Sequence, residues 1–306
     1  MSIPYILMPL TITDAMLSSS TLAEPAASET AWASAGTYAV GDKRIRTTTH
    51  RVYKAIQAHT GSTAYPEDDT TYWEDFDPTL KWAPFDTYVS TAASLASPLT
   101  YVLLPGFFDA ISLYGLSGTE VTITHKDTPG GTTLETRTIS LYAESLGLYE
   151  YLFGPKNPKS KIIETGFALR PNSELTITVT GTSTVSMGMC NVGSYRALIS
   201  DWGGTEYGAS VEPITTSRIS TDTTTGKVSI KRGNATTGMR FSAVVPLADA
   251  NYALQSVQEV LDVPVSWVAS SASGYEGLNV FGLGSATLSY AGPDVTQLNL
   301  TVKGMI

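Results

Sequence analysis

The chain has 306 residues, 42% of them hydrophobic, enough for two or three packed domains, and a net charge of −9 argues against nucleic acid or an anionic membrane as partner. Charged residues make up only 15%, below the roughly 25% of average soluble domains, and the excess of Thr, Ser, Tyr and Val suits pleated sheet. A single cysteine, Cys190, excludes an internal disulfide and reads as a small buried hydrophobe.

Residues 1–28 read as an N-terminal strand and a linker. Ile3 to Leu17 is mildly apolar, and Ser18 to Thr21 with Glu24-Pro25-Ala26-Ala27 has linker composition. The opening Met1-Ser2-Ile3-Pro4-Tyr5 lacks the basic region of a secretory signal, and no apolar run is long enough to span a membrane. The expectation is a protein made in the cytoplasm, soluble there, with no membrane insertion.

Residues 29–90 form the most informative stretch. Between Ala31 and Phe85 stand nine aromatics, including three of the five tryptophans. So short a segment keeps a high surface-to-volume ratio and cannot bury them all. Most are expected to staple a small core, and two or three to face a ligand. The skeleton runs Ala31-Trp32, Tyr38-x-x-Gly41-Asp42, Val52-Tyr53-Lys54-Ala55, Gln57-Ala58-His59-Thr60, Tyr65-Pro66 and Tyr72-Trp73.

That order and spacing resembles the small carbohydrate-binding modules of the family 5/12, chitin-binding type found on chitinases and cellulases. The resemblance implies a small three-stranded domain. It places Trp32, Tyr53 and Trp73 in a minimal core, Gly41-Asp42 at a turn, and sugar-stacking aromatics at Tyr65, then Tyr72, with Trp82 beyond the motif. The chain departs from the pattern at Arg44-Ile45-Arg46, where the modules place an apolar strand, and at Glu74 to Pro78.

Residues 91–198 read as an antiparallel β-sandwich, with a jelly-roll, galactose-binding-like arrangement as the specific expectation. Thr119 to His125 alternates with period two, Pro129-Gly130-Gly131 is a turn, and Thr133 to Tyr142, Glu174 to Val179 and Val185 to Cys190 follow as strands. Gly154 to Lys159 reads as a surface loop.

Residues 199–306 are predicted to form a β-rich C-terminal domain with one helix. Leu247, Ala250, Leu254, Val257 and Leu261 recur at steps of three and four, and Pro264 ends the helix. Strands are expected at Lys227 to Lys231, Met239 to Val245, Val265 to Ala269, Ala286 to Tyr290 and Gln297 to Val302. The succession Gly204-x-x-Tyr207-Gly208, a turn at Asp222 to Gly226, Lys231-Arg232, helix, Pro264-x-x-Trp267, Phe281-Gly282 and Leu298 to Ile306 resembles tail-tip or baseplate proteins of long-tailed bacteriophages. The opening, with Ile12-x-Asp14-Ala15-Met16-Leu17, is similar to such proteins too.

These resemblances imply a structural virion protein of a tail tip, assembled in the bacterial cytoplasm. Its partners would be other tail proteins, copies of itself in a three- or six-fold ring, and host cell-surface polysaccharide. The rival class is a polysaccharide-degrading enzyme targeted by its module. Glu67, Glu74 and Glu135 are the carboxylates it could recruit, but nothing in the sequence separates them from surface acids, so no catalytic residue is assigned. Three scattered histidines suggest no metal cluster, Asp68, Asp69 and Asp75 lack an EF-hand-like spacing, and no nucleophile elbow or phosphate loop occurs. No enzyme, metal or cofactor is expected.

Overall fold

A computed structural model describes residues 2–88, 90–142, 147–154, 158–200, 202–215, 217–221, 224, 226–233, 235–272 and 274–305. The chain is mainly β, 49% strand and 7% helix. It divides into two compact units, one joining Met1–Pro9 to Ser194–Ile306 and the other spanning Leu10–Gly193.

The Leu10–Gly193 unit is built on two antiparallel layers. The first orders the strands Thr133–Ser140, Glu120–Lys126, Glu174–Thr180, Leu99–Leu103 and Leu17–Ser20 side by side. Period-two alternation drives it: Val121, Ile123 and His125, then Leu175, Ile177 and Val179, then Leu99, Tyr101 and Leu103 all turn inward. The second layer centres on Ala110–Tyr114, flanked by Lys161–Thr165 and Met189–Ala197. Every residue of Ala110–Tyr114 is buried. Cys190 lies in the shared core with its thiol pushed up to about 12 by burial, as expected of a small hydrophobe.

The aromatic segment is an insertion in this sandwich, since Leu17–Ser20 precedes it and Ala93–Ala96 follows. It forms a three-stranded antiparallel sheet, Lys43–Arg46, Arg51–Ala55 and Trp73–Pro78, plus a two-stranded ladder, Thr37–Tyr38 with His59–Thr60. Tyr38, Tyr53, Ala55 and Trp73 make its separate small core, with Trp32 and Tyr72 packed half-buried against it. Gly41 takes φ +93° at the turn before Lys43–Arg46, where a side chain would be strained.

In the other unit one antiparallel sheet orders Tyr5–Pro9, Val265–Val268, Asn279–Tyr290, Val295–Gly304, Ala235–Pro246 and Gly204–Thr205, and Ser210–Thr215 also pairs with Ala235–Pro246. Cross-strand pairs Met239–Val302, Phe241–Leu300 and Ala243–Leu298 cover one face. The helix Ala250–Gln258 buries Ala250, Ala253 and Val257. Leu254 is only half-buried, and Leu247 and Leu261, expected on the same apolar face, lie outside the helix and are exposed. Ala253 and, just past the helix, Val260 take their place in the core. The predicted turn at Asp222 to Gly226, the loop Gly154 to Lys159 and the terminal Ile306 fall wholly or partly outside the described residues.

Candidate functional site

In the strand Lys43–Arg46, Ile45 is buried and Arg46, on the opposite face of the strand, is half-buried. Arg46 grips Glu67 through Nε at 3.2 and 3.3 Å and Nη2 at 3.1 Å. Its guanidinium lies 3.9 Å from the centroid of the Tyr65 ring and 5.6 Å from that of Trp32. Trp32 meets Tyr65 edge-to-face at 5.5 Å. Tyr65 is thereby packed against both Arg46 and Trp32 while 47% of its surface stays open. A partly exposed aromatic ring packed in this way is the kind of surface on which the apolar C–H side of a sugar ring stacks.

Tyr72 is half-buried, with the His59 ring stacked on it at 4.4 Å. His59 in turn meets Trp73 edge-on at 5.3 Å and is fixed through Nδ1, 3.1 Å from the Gln57 carbonyl. Tyr72 therefore offers less free surface than Tyr65.

Trp82 is not available as a platform. It is 8% exposed and belongs to the sandwich core. His50 stacks on it at 4.3 Å, Phe85 meets it edge-to-face at 5.7 Å, and its indole N–H donates to Glu24 Oε2 at 3.2 Å. Glu24, itself nearly buried, also accepts from Thr79 Oγ1 at 2.7 Å and contacts His50 Nδ1 at 3.0 Å. Asp14 sits 2.9 Å from His50 Nε2, an ion-pair contact not aligned as a hydrogen bond. Burial works to lower the His50 pKa, yet the Asp14 and Glu24 carboxylates outweigh it and raise it above 6.5. This cluster anchors the module to the sandwich.

The structure thus keeps Tyr65 and Tyr72 on the module and removes Trp82 to the sandwich. Arg46, Glu67 and Trp32 are the positioning residues that sequence reading did not single out for this role. A shallow depression of about 280 Å³ between the module and its flanking segments is lined by Glu29, Lys43, Ile45 and Asp77 but carries no aromatic platform. The three carboxylates an enzyme reading would recruit are each held by a cation: Glu67 by Arg46 at 3.1 Å, Glu74 by Lys54 at 2.8 Å and Glu135 by Arg137 at 2.8 Å.

Comparison with known protein families, curated proteins and solved structures finds no match to this chain. Function therefore rests on the geometry itself. With Arg46 neutralised by Glu67, the face of Tyr65 suits an uncharged, ring-shaped ligand.

Proposed function

We propose that the chain is a structural and adhesive subunit of a bacteriophage tail tip, which displays its inserted module to bind host cell-surface glycan. The observation that carries the adhesive part is Tyr65, half-exposed on an otherwise compact aromatic module and backed by the Arg46–Glu67 pair. A sugar stacks on its open face while neighbouring polar groups hydrogen-bond the hydroxyls. One such contact is worth about 0.5–1.5 kcal/mol, too little to hold a particle. Copies in a ring raise the effective concentration of the remaining sites once one has bound, so avidity supplies what a single module lacks.

The assembly part is supported by apolar surface left in water. Leu148, Tyr149, Leu152 and Phe153 are each more than half exposed. In the hairpin Arg218–Thr221 with Val228–Lys231, Ile219 opposes Ile230, and Val228 follows on the same face, all three exposed. Exposed apolar patches of this kind mark interaction surfaces, and neighbouring tail proteins or further copies of the chain would cover them.

Binding to immobilised bacterial surface polysaccharide, with Tyr65→Ala beside the wild type, tests the adhesive reading. Affinity should fall about 3–10-fold per site while thermal unfolding stays unchanged. A variant that binds as tightly as the wild type would remove Tyr65 from the function.

A further inference from the structure

The unit joining Met1–Pro9 to Ser194–Ile306 contains an open cleft of about 440 Å³ that the tail-tip reading does not use. Its volume lies in the range of small-molecule sites. Two tyrosines stand on its lining, Tyr207 at 92% exposure and Tyr275 at 48%. Tyr207 sits on the turn after Gly204–Thr205, next to Gly208 at φ +107°. A Cβ placed on Gly208, Gly274 or Gly277 would meet nothing within 4 Å, so these glycines leave the cleft wall low and open.

The polar groups are arranged to serve hydroxyls. Ser2 Oγ accepts the Ser271 N–H at 3.1 Å and Ser270 Oγ accepts the Ala272 N–H at 3.2 Å, which leaves both hydroxyl hydrogens to donate. Glu206 is oriented by Gln297 Nε2, which donates to its Oε2 at 2.7 Å, so Oε1 is left to accept. Among the described residues lining the cleft there is no Lys, Arg or His, and Glu206 is the one charge. An anionic ligand would face that carboxylate with no cation to offset it. An uncharged ring bearing hydroxyls would find aromatic faces, two donors and a fixed acceptor.

We infer that this cleft binds a neutral saccharide, at a site separate from the module and on a different unit of the chain. The inference goes beyond the Tyr65 reading and does not depend on it.

Amide hydrogen exchange on the full chain tests it, with millimolar chitotetraose, cellotetraose and maltotetraose as probes and a hyaluronan tetrasaccharide as the anionic control. At least one neutral probe should slow exchange in residues 203–211 and 270–278. That protection should persist in Tyr65→Ala, vanish in the double variant Tyr207→Ala/Tyr275→Ala, and be missing with hyaluronan. Protection of residues 61–73 reports the module independently, so the two sites fail separately. The inference is overturned if no neutral probe protects the cleft segments, if hyaluronan protects them equally, or if the double variant, folded by circular dichroism, keeps the protection.

Discussion

The half-exposed ring of Tyr65 is held by its neighbours, Trp32 meeting it edge-to-face and the Arg46 guanidinium lying over it. Removing the guanidinium frees the ring to change rotamer and leaves Glu67 unpaired. Arg46→Ala should therefore weaken glycan binding, though less than Tyr65→Ala, and Arg46→Lys should restore little because a lysine cannot stack and fork together. A titration of the three variants against one polysaccharide checks this order. His50 and His125 work against each other in pH. His125 has no exposed surface; burial holds its pKa below 6.5 despite the Glu135 carboxylate, so the unfolded chain binds the proton first and stability falls as pH drops below 6.5. His50 is raised by Asp14 and Glu24, so its contribution is fully present below 6.5 and is lost as pH rises through the higher folded value. In melting curves across this range His125→Asn should flatten the acid limb and His50→Gln the alkaline limb. A slope unchanged in either variant would show that the other groups control it.

Elements with one wet face were legible in the sequence because their pattern has period two. Glu120–Lys126, Glu174–Thr180 and the core of Val295–Gly304 alternate visibly and fold as read. Ala110–Tyr114 is buried on both faces, so alternation disappears and only its apolar content remained to be seen. The helix was legible as an element and in part of its face, since Ala250 and Val257 are buried as expected, but small Ala253 and Val260 do the packing that Leu247 and Leu261 were expected to do. At the site, Tyr65 was legible as an aromatic beside a proline. The Arg46–Glu67 support spans 21 residues and was not, nor was the burial of Trp82, whose partner Glu24 lies 58 residues away. Close approach is equally invisible: a Cβ on Gly284 would come within 2.1 Å of Trp267 Cζ2. Gly284→Ala should cost about 1–3 kcal/mol from overpacking, read by denaturant unfolding. Val257→Asp, an unpaired charge on the buried helix face, should cost about 3 kcal/mol or more and be the more damaging of the two.

At the scale of the whole molecule, the proposed function needs many weak sites held together, which makes assembly as important as stacking. The hairpin Arg218–Thr221 with Val228–Lys231 carries exposed Ile219 and Ile230 on one face and Arg218 and Lys231 on an adjacent pair, in a chain of net charge −9. Replacing both isoleucines by aspartate should reduce the mass of the assembled species in native mass spectrometry while the unit itself stays folded. Unchanged assembly would move the interface elsewhere, Leu148, Tyr149, Leu152 and Phe153 being the next surface to test. The measurement that bears most directly on the chain as an adhesive subunit is a glycan array of GlcNAc polymers and bacterial surface polysaccharides, probed with wild-type protein and Tyr65→Ala. The expected result is a set of glycans bound by the wild type and lost from the variant, with equal melting curves; an array on which no bound glycan depends on Tyr65 would contradict it.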